Sequence, residues 1–195
     1  LNDYHNFLRS RRSVRRFDAR PVKAETLRHI LETATYAPSA HNLQPWRFAV
    51  VQDSAAKSRL GQALTGKMRA DMAGEGAPAD EIERRVSRSL RRIDQAPVIV
   101  LLCRDASAVR KDEPEEHTMA VQSVAAAGLQ LLLAAQAEGL SGNWICWPLY
   151  APEATRAALD FPKTWEPQAM IILGYSIEEP EAKELKLLGE IVLWK

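Results

Sequence analysis

The chain has 195 residues, 46% of them hydrophobic, and 26 Lys and Arg against 25 Asp and Glu leave a net charge of +1. That size and apolar content suit one well-buried domain over residues 1–195, and the near-neutral balance excludes the whole-chain positive field expected of a nucleic-acid binder. Cys103 and Cys146 are too few for a disulfide framework and lack CxxC or His-rich spacing, no signal-like segment opens the chain, and no uninterrupted apolar run approaches the roughly 20 residues of a bilayer span. The expectation is a soluble cytoplasmic protein with no structural metal and no membrane partner.

In chain order, the first feature is Arg9-Ser-Arg-Arg-Ser-Val-Arg-Arg-Phe17, five guanidiniums within eight residues. Such charges repel, so a fold that gathers several of them calls for an anion, and the planar Arg fork matches phosphate oxygens. The plainer alternative is a solvated face or a weak site for an acidic partner. Leu27, Ile30, Leu31 and Ala34 then predict an amphipathic helix over residues 24–36, ended before Pro38. Asn42 and Gln44 fall in a loop between Pro38 and Pro45, where amides readily cap turns. Trp46 to Gln52 reads as a strand and Ser54 to Gly66 as a helix.

Pro78 stands at a plausible first helical position, ahead of Ile82, Val86, Leu90 and Ile93 on one face. Arg84, Arg85, Arg88, Arg91 and Arg92 lie on the other, a pattern that by itself describes a solvated surface. Pro97 to Cys103 is short, apolar and β-branched, as in a buried strand. From His117 to Glu138 the chain is small and apolar nearly all round, which predicts a helix buried on most sides and suits a dimer core. Ala169 to Gly174 and Glu190 to Trp194 are further strands. The charged, poorly periodic stretch from Glu178 to Lys186 looks like an arm, so the last strand fits either the edge of its own sheet or that of another chain.

Pro38-Ser-Ala-His-Asn-Leu-Gln-Pro-Trp-Arg-Phe48 resembles the Pro-Ser-x-x-Asn-x-Gln-Pro-Trp-x-Phe signature of the flavin-dependent nitroreductase family. The Arg-rich segment resembles that family's Arg-Arg-Ser-x-Arg-x-Phe arm, which holds the phosphate of FMN. The resemblance spans nearly the whole chain and implies an α+β nitroreductase-like fold, a central mainly antiparallel sheet flanked by helices, with residues 180–195 as a C-terminal arm exchanged in a homodimer. It also implies FMN as cofactor, NADH or NADPH as reductant, and a small-molecule oxidant such as a quinone or nitroaromatic, reduced in a ping-pong cycle. Flavin carries the hydride chemistry, so no catalytic side chain is required. No Gly-x-Gly-x-x-Gly follows a strand, so the nicotinamide would not use a Rossmann fingerprint.

Carried over by position, Arg11, Arg12, Ser13 and Arg15 match the family's phosphate and ribityl contacts. Pro38, Ser39 and Asn42 match residues that reach FMN from the other subunit. Ile145, Cys146 and Trp147 fall in the segment beside the isoalloxazine ring, and Lys186 stands where a basic residue lies near the phosphate. Trp144, Trp147 and Tyr150 are expected to line or flank the substrate pocket, with His41 as the nearest proton donor and residues 66–95 as a helical cap. Within the family, Arg-Arg-Ser-Val-Arg, Pro-Trp-Arg-Phe and Gly-Leu-Ser-Gly-Asn-Trp144 look like the reductase domain joined to the glutamyl ligase of deazaflavin coenzyme biosynthesis. That domain reduces a dehydro precursor of the coenzyme. A non-enzymatic module that docks the arginine arm on an acidic partner is the alternative from another class.

Overall fold

Val98 to Cys103 and Ala169 to Leu173 are apolar on both faces of an extended chain, and two-sided burial decides the architecture. The computed structural model describes residues 2–180 and 182–195. Its sheet comprises β1 (Trp46–Val51), β2 (Val98–Asp105), β3 (Ser141–Ile145) and β4 (Trp165–Gly174), all pairs antiparallel, in the order β1-β2-β4-β3. Alternation along the two central strands sends Val98, Val100, Leu102, Ala169, Ile171 and Leu173 to one face, and Ile99, Leu101, Cys103, Met170 and Ile172 to the other. Both sets are buried because each face carries helices.

On the first face lie α2 (Ala24–Ala34) and α5 (Pro114–Ala137). α5 crosses the sheet closely at Gly128, where a Cβ would sit 2.3 Å from the Trp144 ring and 2.6 Å from Leu102. The second face carries α3 (Ser54–Gly74), α6 (Trp147–Tyr150) and α7 (Pro152–Leu159), with α4 (Ala79–Asp94) laid on α3 through Met72, Ile82 and Val86. The remaining α-helices among the described residues are α1 (Asp3–Ser10) and the single turn α8 (Leu188–Ile191), and Ala40–Asn42 form a 3-10 turn. This is the expected α+β arrangement with an antiparallel sheet flanked by helices.

Several boundaries differ from the sequence reading. α3 continues through Gly66 to Gly74, since Leu60, Leu64 and Met72 are buried on both sides of that glycine. The cost of a helical Gly is only about 1 kcal/mol. Pro78 is the residue before α4 rather than its first, and Pro114 starts α5 ahead of His117. β4 begins at Trp165 and bulges at Gln168, since Leu102 faces Ala169 while Cys103 faces Pro167, which has no N–H for a ladder.

The expected strand from Glu190 to Trp194 is not formed. Glu190 turns back to accept the Leu187 N–H at 2.7 Å, which closes α8, and residues 192–195 join no strand of this chain. Val192 is already extended (φ −124, ψ 126), but a strand needs a free edge beside it, and Leu193 and Trp194 stand out in solvent. α5 is buried against the sheet and α2 but not on most sides in the single chain, with Val121 40% and Leu129 52% exposed. Among the described residues it is also the one helix long and apolar enough to cross a membrane, yet its inner face lies on the sheet and α2.

Candidate anion and flavin site at the sheet edge

The arginine arm is extended and docked, not a solvated helix face. Ser13 bridges Gly142 at the β3 edge, Val14 donates its N–H to the Gly142 carbonyl at 3.1 Å, and Phe17 bridges Ser176 beyond the end of β4. Asp18 N–H to the Tyr175 carbonyl at 2.8 Å and Ile177 N–H to the Arg16 carbonyl at 3.3 Å complete the seam. Val14 and Phe17 are buried, which turns Arg15 and Arg16 outward. Gly174 makes room for the arm, since a Cβ there would lie 2.9 Å from Phe17 and 2.8 Å from Pro97.

Glu178 fixes the arm from the other side. Its carboxylate accepts the Arg15 N–H at 2.6 Å, the Arg16 N–H at 3.3 Å and the Arg16 Nε–H at 2.8 Å. Burial works to raise its pKa, but these donors and the Arg16 charge outweigh burial and hold it below the usual carboxylate value. Arg12 gives its Nη1 hydrogens to the Arg9 and Arg11 carbonyls at 2.6 and 3.0 Å. Arg11 and Arg15 are thereby left without an ion pair among the described residues. Both line an open cavity of about 600 Å³ together with Arg12, Ser13, Arg16 and Lys183, with Glu178 and Glu179 also on its wall. A second cavity of about 290 Å³ continues from it along Ser10, Ser141 and Gly142.

Of the remaining expected residues, Ile145 ends β3 buried against the second core, Cys146 exposes its thiol, and Trp147 opens α6 half-buried. The Arg92 guanidinium of α4 lies 5.9 Å from the centre of the Trp147 ring. Burial, then Arg15 and Arg88, push the pKa of Arg92 below its ordinary value, and Glu178 opposes them. Arg92 therefore ties the arm, α4 and Trp147 into one neighbourhood. Sequence reasoning missed it, and the available signal was Arg88 and Arg92 at helical spacing with no acid four residues before either.

Trp144 points the other way from Ile145, as neighbours on a strand must, and rests on Gly128 and the first core, its Nε1–H reaching the Cys146 sulfur at 3.2 Å. Tyr150 is 71% exposed. Lys186 is exposed and lines neither cavity, whereas Lys183 does. Pro38, Ser39, His41 and Asn42 precede β1, the opposite edge strand, so one chain does not bring them to the arm; three strand spacings separate the edges by about 14 Å.

That loop is a built structure. His41, Asn42 and Gln44 have φ of 52, 53 and 48, the left-handed region that costs non-glycine residues about 1 kcal/mol or more. Ser39 Oγ accepts the Gln44 N–H at 3.1 Å, Gln44 Nε2 donates to Asn42 Oδ1 at 3.2 Å, and Ala40 N–H donates to Ser123 Oγ on α5 at 3.2 Å. The amides hold each other and the loop.

Helices on both faces of an antiparallel sheet, with Arg11 and Arg15 free of ion pairs among the described residues at one edge, define an α+β protein with a candidate anion site. The chain belongs to the nitroreductase family, whose family model matches residues 8–175. It is 35% identical to an "NADH dehydrogenase" of Thermus thermophilus, over 95% of this chain and 92% of that protein. It is 33% identical to the 5,6-dimethylbenzimidazole synthase of Rhodospirillum rubrum, over 92% and 84%. A crystal structure from Desulfovibrio desulfuricans in complex with FMN superposes with a TM-score of 0.77 at 26% identity, over 100% of this chain and 98% of the other.

Proposed function

We propose that this chain is an FMN-dependent oxidoreductase, a cytoplasmic homodimer that takes reducing equivalents from NADH or NADPH and passes them to a quinone, nitroaromatic or related small oxidant. The observation that carries the reading is the clamped arm, which among the described residues leaves Arg11 and Arg15 without an ion pair around an open cavity lined by Ser13, Lys183, Glu178 and Glu179. The donor set fits a phosphate ester: guanidinium forks, the Ser13 hydroxyl and Lys183 converge where Glu178 is already engaged by its own backbone donors. Arg11, Arg12 and Ser13 hold the phosphate, Arg15 lies toward the ribityl chain, and Lys183 supplies the basic charge that Lys186 was expected to give.

Bound FMN would supply the hydride chemistry, as flavins do. Ile145, Cys146 and Trp147 hold the ring's flank from the end of β3, and α4 covers it. Pro38, Ser39 and Asn42 reach FMN from the other subunit, which accounts for a strained, ordered loop at the far edge of the sheet. The exposed strip of α5 around Val121 and Leu129 supplies the apolar seam between subunits, and the exposed apolar residues of 185–194 supply the exchanged arm.

An absorbance spectrum of the purified protein tests this, before and after FMN and then, anaerobically, NADH or NADPH. Flavin bands that bleach with a nicotinamide support the proposal. Bound flavin that neither nicotinamide reduces would move the reading to the deazaflavin precursor reductase, and no flavin uptake would return the arm to a docking module.

A further inference from the structure

The basic side of α4 is not uniform. Arg84 and Arg85 pair with Asp80 and Glu81 one turn earlier, each at 3.3 Å. At the same offset Arg88 meets Arg84 and Arg92 meets Arg88, like charges that destabilise a helix where unlike ones stabilise it. Among the described residues neither Arg88 nor Arg92 has an ion pair. Attraction to the helix C-terminus accounts for a cation in the last turn. It does not account for Arg92 lying across Trp147 with Arg15, from a different element, close enough to oppose its charge.

We propose that Arg88 and Arg92, one turn apart on α4, form a second anion subsite beside Trp147, next to the phosphate cradle, which takes the carboxylate or phosphate of the substrate that exchanges at the flavin. The assignment deepens the oxidoreductase reading, since it rests on Trp147 flanking the ring. Guanidinium is weakly hydrated and stacks on an aromatic face while its fork stays free for an oxyanion. Glu178, the carboxylate that acts on Arg92, is committed to the arm's N–H groups and Arg16, and among the described residues it makes an ion pair with neither Arg88 nor Arg92. An anion seated there would relieve repulsion between Arg15, Arg88 and Arg92 and hold its own reducible or reducing group over the ring. Arg91, by contrast, turns to a different cavity lined by Lys57, Leu90 and Asp94, and is outside the subsite.

Two sources of the anion are distinguishable: the acceptor's own acid group, or the extra phosphate of NADPH. The probes are p-nitrobenzoate with its methyl ester, which lacks the charge, and NADPH with NADH, which lacks the phosphate. Each is titrated by calorimetry into FMN-free and FMN-loaded protein, then used in turnover, for wild type, Arg88→Gln, Arg92→Gln and Arg92→Lys. Wild type should prefer the charged member of at least one pair, and each Gln variant should cut that preference roughly two- to fivefold, the range for a partly exposed charge contact. Arg92→Lys should restore part of it, because the charge returns without the fork.

A drop confined to the acid and ester pair assigns the anion to the acceptor; one confined to NADPH over NADH assigns it to the nucleotide. Preferences that stay unmoved in both pairs, with FMN bound and reduced, overturn the subsite and leave the flavin reading intact. Charge-selective binding that the Gln variants weaken in a protein unable to take up FMN keeps the subsite and sinks the flavin reading.

Discussion

Glu178→Gln isolates the charge that fixes the arginine arm. The carboxylate receives a short bond from the Arg15 N–H, a long one from the Arg16 N–H, and an ion pair with Arg16, whose side chain is 70% exposed. A hydrogen bond to a charged group contributes about 1.5–3 kcal/mol, and an exposed ion pair about 1 or less. The amide keeps one neutral acceptor, so the loss should be about 2 kcal/mol, or roughly 4–8 °C in Tm for a chain of this size.

The pH dependence is the sharper readout. The folded pKa of Glu178 is lowered by these donors, so its contribution is present above the unfolded value, about 4.3, and is lost as pH falls through the folded value. The difference in Tm between wild type and Glu178→Gln should be complete above about pH 5.5 and shrink steadily below about pH 4. Calorimetric melts across that range measure it. A difference that stays constant with pH would refute the argument, because the amide would then be failing for shape and not for charge.

Arg15→Ala should weaken FMN binding about tenfold or more, the loss of one charge-assisted contact, measured by fluorescence titration; unchanged affinity removes Arg15 from the site. Thiol titration of the native protein should label Cys146 at once and Cys103 only on unfolding, because burial pushes the Cys103 thiol up to about 12 beneath the sheet. Two fast-reacting thiols in native protein would contradict that burial. Leu129→Asp should shift the sedimenting species from dimer to monomer with the fold intact by circular dichroism; a variant that remains dimeric places the subunit seam elsewhere.

The elements legible in the sequence were those whose burial is two-sided or strongly periodic. Pro97 to Cys103 and Ala169 to Gly174 read as strands because apolar runs of that length have no solvated face, and α2 and α4 because their apolar positions recur at helical spacing. β3 was not legible as a strand, because Gly142 and Asn143 disfavour one and only Trp144 and Ile145 favour it; it is a strand because β4 offers an edge and Gly142 lets Leu132 and Leu173 close over it. The arm's arginines were visible as a group with need of an anion. Which of them remain available was not, since Glu178 stands more than 160 residues away and selects Arg16.

The sequence by itself supplied mixed helix and strand signals and a cluster of arginines in need of an anion, because composition and periodicity are local properties that every folded state must honour; the antiparallel sheet between helices and the FMN phosphate were what the resemblance to the nitroreductase family implied. Tertiary structure alone decided that the arm seals the β3 edge, that the loop from Pro38 to Pro45 stands at the other edge, and that Arg92 reaches Trp147. The same holds for the C-terminus, extended at Val192 yet unpaired within this chain. Edges, long-range ion pairs and helix crossings depend on where distant segments meet, and that meeting is set by how both faces of the sheet are covered.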